Sequence, residues 1–332
     1  MSTDSLLASG RRAVVVFAIL IALAVAVPSV AQQRSPDGAF APDANAVKEQ
    51  ALLEQAPRIQ GRIDIPDRRA AVLMQPAGRR WDYFHEITLH WVGAVVIVGM
   101  IALLALAYLI MGRIRIAAGR SGRKMVRFTP FERFSHWLTA GSFVVLGLTG
   151  LNITFGKLVL RPVIGPEAFS SVAQAAKYVH NFLSFAFILG LALIVGLWLK
   201  DNLPRKVDVD WIKQGGGFIK SKHAPAGRFN AGEKLVFWFA LGAGAAVIVS
   251  GLLLLFPFYV TGIAGMQVAQ VVHALVAVVF VAVIIAHIYI GTLGMEGAFE
   301  AMGTGTVDLN WAKEHHDQWF AEKQAGGQVG PP

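Results

Sequence analysis

Residues 268–293 read VAQVVHALVAVVFVAVIIAHIYIGTL, and this stretch decides how the chain folds. No Asp, Glu, Lys or Arg interrupts it, and it exceeds the ~20 residues a helix needs to cross a hydrocarbon core. Its two imidazoles, His273 and His287, are fourteen residues apart. At ~1.5 Å and ~100° per residue, that spacing is ~21 Å of rise and a return to within ~40° of the starting direction. Both rings therefore share one helix face, one near each membrane surface.

Working outward, four more apolar runs predict spanning helices at 87–111, 135–155, 178–199 and 234–256. With 55% hydrophobic and 15% charged residues among 332, the chain reads as an all-α integral membrane protein. Loop charge sets the orientation. The 112–132 loop carries six Arg or Lys against one acid, and the 200–233 loop carries Lys200, Arg205, Lys206, Lys213, Lys220, Lys222 and Arg228. The turn 257–267 has no charge at all. By the positive-inside rule the two basic loops and the polar tail face the cytoplasm of a bacterial inner membrane. The same distribution explains the net charge of +9 without nucleic acid.

At the N-terminus, Arg11-Arg12, the apolar run 13–27 and a small-residue site at Ser29-x-Ala31 read as a signal peptide, with an uncleaved anchor as the alternative. Residues 32–80, rich in Gln, Pro, Ala and Arg, bury little, although a short helix is expected around 45–55. The resulting division is 1–31 signal or anchor, 32–84 extracytoplasmic polar segment and 85–112 extra spanning helix. It continues as 113–134 basic loop, 135–293 four-helix region and 294–332 cytoplasmic tail.

The absence of cysteine excludes thiolate chemistry, cysteine-ligated clusters and covalent haem attachment. Histidine remains. His136 begins one helix on the cytoplasmic side, and His180 begins the next on the other side. Their depths match those of His287 and His273, which predicts two His–His pairs stacked across the membrane. Bis-histidine ligation suits two non-covalent b-type haems engaged in electron transfer. Gly147, eleven residues after His136 and nearly on its face, leaves room for a macrocycle.

Interior histidines that only hydrogen-bond neighbouring helices are the competing reading, weakened by four occurring at two matched depths. Zinc fits less well, because two pairs ~20 Å apart would each lack further ligands. A proton-coupled transporter and a passive membrane anchor are functional alternatives of other classes. His85 and His90, five residues apart, are expected to face different directions, with Trp81, Tyr83, His85 and Trp91 as an interfacial belt. His223, His315 and His316 are expected to meet a partner or solvent.

Several motifs carry a resemblance. They are Arg127-Phe128, Glu132-Arg133-Phe134-Ser135-His136-Trp137, Leu148-Thr149-Gly150 (read as a turn region) and Val179-His180-Asn181. Further along come Asn230-Ala231-Gly232-Glu233-Lys234, Phe237-Trp238, Gln270-Val271-Val272-His273, His287-Ile288-Tyr289, Trp311-Ala312-Lys313 and His315-His316. In order and spacing, residues 126–320 resemble the gamma subunit, a cytochrome b, of membrane-bound respiratory formate dehydrogenases.

The resemblance implies a four-helix di-haem bundle, here with an extra N-terminal spanning helix and a signal-like segment. It implies haem iron held outside by His180 and His273 and on the cytoplasmic side by His136 and His287. It also implies quinone bound near Asn230, Gly232, Glu233 and His287. Electrons would come from an iron–sulfur beta subunit, with formate oxidised in a molybdenum- or tungsten-containing alpha subunit. Similar cytochromes serve hydrogenases and sulfur-compound reductases, so the partner's substrate stays open. Glu233 stands where related chains often have Gln; it reads either as a proton-relaying carboxylate or as an acid favoured by the helix dipole.

Overall fold

The computed structural model describes residues 81–216 and 224–327. The signal-like run, the polar segment with its expected helix at 45–55, and His223 lie outside the described residues. The chain divides into two units, Met1–Phe84 and His85–Pro332, and the features below belong to the second.

Among the described residues, five helices are long and apolar enough to cross a membrane. A π-helical turn, Phe84–Thr88, leads into α1 (Leu89–Met111). After the short strand β1 (Lys124–Val126) come α2 (Pro130–Val159), a one-turn link α3 (Arg161–Ile164) and α4 (Pro166–Trp198). The short α5 (Lys206–Lys213) precedes α6 (Ala231–Leu255) and α7 (Ile263–Tyr289). A second π-helical turn, Ile290–Gly294, closes α7. The tail then forms α8 (Ala298–Gly303), β2 (Thr306–Asp308), α9 (Leu309–His315) and α10 (Asp317–Ala325).

The chain is an all-α transmembrane bundle in which α2 packs along α4, α6 along α7, and α1 against the outer side of α7. α2 and α4 run to 30 and 33 residues, longer than hydropathy alone predicts. At ~1.5 Å per residue these are ~45–50 Å long, against a ~30 Å hydrocarbon core, so their polar ends stand clear of it. Local chemistry fixes those ends. Thr129 and Glu132 form a capping box in front of α2, with Pro130 at its first position. Gly165, at φ +82°, lets the chain turn directly into Pro166 of α4. Asn230 and Glu233 form the equivalent box for α6.

The segment after the bundle is a folded cap rather than a loose tail. β1 and β2 pair antiparallel, with Met125 opposite Val307. The backbone at Ile114 bonds to that of Gly294 and Glu296, tying the exit of α1 to the exit of α7. Phe128, Trp198, Phe229, Phe237, Val307, Trp311, Trp319 and Phe320 form one buried apolar cluster beneath it. Burial of each such side chain stabilises the cap by roughly 1.5–3 kcal/mol.

Candidate functional site

The four intramembrane histidines come from three of the spanning helices and converge two by two. His136, one turn into α2, faces His287 near the end of α7, with ring centroids 6.3 Å apart and planes inclined at 53°. His180 in α4 faces His273 in α7 at 6.1 Å and 72°. With metal–nitrogen bonds of about 2 Å, centroids ~6 Å apart leave room for one metal ion that would be held by a nitrogen of each ring. Neither pair has a third protein ligand nearby: among the described residues no group of three His, Cys, Asp or Glu is arranged for a metal ion.

The rings differ in their support. His180 donates from Nδ1 to Thr149 Oγ1 at 2.9 Å. His273 does so to the Val247 carbonyl at 3.1 Å, with Ser250 Oγ 3.2 Å away. Such bonds fix the tautomer and present Nε2 as the free electron pair. Thr149 lies in the interior of α2, so Leu148-Thr149-Gly150 is helix and not the expected turn. In the other pair, the Nδ1 of His136 is buried without a partner. His287 makes its ring contact with His136, and its residue surface is exposed.

Between the two pairs lies a layer of phenylalanines. Phe143, Phe187 and Phe280 each stand seven residues, or ~10.5 Å of rise, from a histidine of their own helix. Phe280 is midway between His273 and His287, and its ring is 4.5 Å from Phe143 and 6.3 Å from Phe187. Phe239 of α6 closes the layer, 5.8 Å from Phe280. The i+7 spacing was readable in the sequence, where these side chains looked like ordinary lipid-facing or core residues.

The profile of the prokaryotic cytochrome b561 family matches residues 127–305, which contain all four histidines and every helix that supplies one. The chain belongs to that family. Membership makes it a haem b protein of the membrane. It is 30% identical over 202 residues to the formate dehydrogenase cytochrome b556(fdo) subunit of Escherichia coli strain K12. That match spans 60% of this chain and 92% of the relative. It is 27% identical over 210 residues to the nitrate-inducible cytochrome b556(Fdn) subunit of the same organism, across 61% and 93%. A formate dehydrogenase cytochrome b556 subunit of Haemophilus influenzae matches at 27% over 207 residues, across 60% and 84%. The family match begins after α1, so the extra spanning helix is an addition to the shared cytochrome bundle.

In this cytochrome the other expected site residues are engaged in structure. Asn230 Oδ1 accepts from the Glu233 backbone N–H, and Glu233 Oε2 accepts from that of Asn230, both at 2.9 Å. Glu233 Oε1 takes a 2.9 Å hydrogen bond from Arg127, whose side chain is only 1% exposed. Burial pulls that guanidinium below its ordinary value, against the opposing pull of Glu233. Gly232 gives room to Trp211, whose ring a Cβ there would meet at 3.1 Å. A cavity of about 600 Å³ opens beside this network, lined by Arg127, Glu132, Asp201, Arg228, Phe229 and Lys234 among others.

Several sequence expectations need correcting. A Cβ at Gly147 would stand an ordinary 3.6 Å from Val281 of α7, and two glycines not singled out for such a role from the sequence lie against imidazoles, Gly150 at His180 and Gly251 at His273. His85 and His90 do not diverge. The π-helical turn between them widens the helical repeat and brings their rings to 6.4 Å, while His90 Nε2 bonds the Thr154 carbonyl at 2.8 Å. His316 does not reach solvent. It is fully buried, donates from Nδ1 to the Gly227 carbonyl at 2.9 Å and stacks near Trp311. His315 lies against the same tryptophan.

Proposed function

We propose that this chain is the di-haem cytochrome b subunit of a respiratory formate dehydrogenase, carrying electrons from an extracytoplasmic iron–sulfur subunit to membrane quinone. The observation that carries this reading is the pairing of four histidines into two sets whose separations suit one iron each. His180 and His273 hold the outer group and His136 and His287 the inner one. Two b-type haems, when bound, supply one-electron carriers at two depths of the membrane. The choice of formate dehydrogenase rests on the names of the relatives that match most of their length to this chain. In this reading formate oxidation belongs to a separate molybdenum- or tungsten-containing subunit.

The basic loops orient the inner pair toward the cytoplasm of the bacterial inner membrane. Moving one electron inward against a membrane negative inside costs about 2.3 kcal/mol per 100 mV. The drop in energy from donor to quinone must cover that cost, and the complex then conserves energy.

The quinone site of this reading lies at the start of α6. Asn230, Gly232 and Glu233 line its polar side and the open ring of His287 its membrane side. The hydrogen bond from Arg127 fixes the direction of the Glu233 carboxylate, and in this reading that group passes a cytoplasmic proton to a reduced quinone oxygen. A reduced-minus-oxidised spectrum of the purified subunit tests the reading. Low-spin b-type absorbance supports it, and its absence sinks it. Formate-driven quinone reduction by the purified complex then tests the choice of partner.

A further inference from the structure

The two imidazole pairs have the same ligands and different backing. Thr149 Oγ1 gives its own proton to the Val145 carbonyl at 2.9 Å, and Ser250 Oγ gives its own to the Ala246 carbonyl at 2.6 Å. Each hydroxyl therefore turns only lone pairs toward the neighbouring imidazole, and the ring nitrogen supplies the hydrogen. The next residue is glycine in both cases. A Cβ at Gly150 would stand 3.4 Å from His180 Cε1, and one at Gly251 would stand 3.1 Å from His273 Cε1. One dipeptide plan, Thr-Gly on α2 and Ser-Gly on α6, thus buttresses both outer rings from opposite sides. The inner pair has no such backing: His136 Nδ1 is buried with no partner, and among the described residues no Thr or Ser hydroxyl hydrogen-bonds the ring of His287.

We infer that Thr149 and Ser250, together with the Val247 carbonyl, are positioning residues that make the outer ligands stronger electron donors than the inner ones. They thereby give the outer iron the lower midpoint potential. This rests on the di-haem reading above. Donation from Nδ1–H to an oxygen moves electron density into the ring and raises the basicity of the far nitrogen. A more basic axial ligand favours ferric over ferrous iron, and hydrogen bonding behind the ligand is one of the levers that set haem potential. The sign suits the direction of flow, since electrons are held more loosely outside than inside.

The test is a redox titration at fixed pH, followed in the haem band, of the complete protein and of Thr149→Val, Thr149→Ser and Ser250→Ala. The component lost in His180→Ala identifies the outer site. In Thr149→Val both haems stay and only the outer midpoint rises, by about a tenfold change in equilibrium constant, which is 59 mV for one electron. Thr149→Ser, which keeps the acceptor, stays at the parent value. Ser250→Ala shifts the same component in the same direction; a backbone carbonyl stays behind each ring in either variant, Leu146 at His180 and Val247 at His273. Unmoved midpoints in Thr149→Val, or a shift of the inner component, overturn the inference. If Thr149→Val loses a haem, Ser250→Ala decides, and an unmoved outer midpoint there overturns it. A parent protein that binds no pair of haems refutes the di-haem reading itself, before any substitution is compared.

Discussion

The outer and inner histidine pairs are nearly equal in separation, 6.1 and 6.3 Å, and opposite in surroundings. In the His180–His273 pair, both rings are held by hydrogen bonds to neighbouring helices and have a glycine beside Cε1. In the His136–His287 pair, one ring has a buried nitrogen with no partner and the other belongs to an exposed residue. The lesson is that ligand identity fixes which group is held, and the residues behind the ligands fix what each position is for. In the proposed reading, the firmly backed pair receives electrons from the partner subunit and the other pair meets quinone.

The largest expected effect comes from removing a ligand. His273→Ala drops the haem content from two to one per chain and leaves the inner spectrum in place. Loss of both groups would instead show that the pairs depend on each other through the phenylalanine layer, and pyridine haemochrome assay of the purified variant distinguishes the two. Next is Glu233→Gln, which preserves the capping geometry and removes the charge that faces Arg127. Both haems remain and quinone reduction falls by about a hundredfold or more, the scale of a lost proton-transfer group. Unchanged turnover would leave Glu233 as a helix cap only.

A smaller effect separates the two kinds of glycine. Gly251→Ala pushes a methyl group to 3.1 Å from His273 Cε1 and loosens retention of the outer haem, whereas Gly147→Ala meets Val281 at 3.6 Å and changes nothing. Equal haem retention in both variants would remove the buttress from the account. The smallest effect is in the cap. Burial first, and then the Arg127 charge, hold His316 well below its ordinary value, so the folded cap keeps it neutral. An unfolded imidazole takes up its proton near pH ~6.5. The stability this burial confers is therefore present above that value and is lost as pH falls below it. Acid should shift the tryptophan fluorescence of the cap toward that of solvent-exposed indole, and His316→Phe should flatten that dependence.

Much of this was legible in the sequence because membranes simplify the code. Unbroken apolar runs gave the helices, and the interval between His273 and His287 paired all four histidines before any coordinates were considered. The helix ends were not legible. Glu132, Arg133 and Lys177 mark a hydropathy boundary, while the capping box at Thr129 and the turn at Gly165 carry α2 and α4 past it. The π-helical turn before α1 reversed the expected divergence of His85 and His90, since period arguments assume an unbroken α-helix. The cap was hidden for a different reason. Its apolar residues are scattered through polar segments, and only long-range contacts gather Phe128, Trp311 and Trp319 around Arg127. Thr149 and Ser250 were visible as hydroxyls beside glycines, although nothing in a single helix tells which neighbour they face.

The most direct test of the central claim is the ratio of b-type haem to protein in the purified, intact chain, with the spin state read by low-temperature EPR. The account predicts two low-spin bis-histidine haems per chain. A single haem, or a high-spin signal with an open axial position, would contradict it.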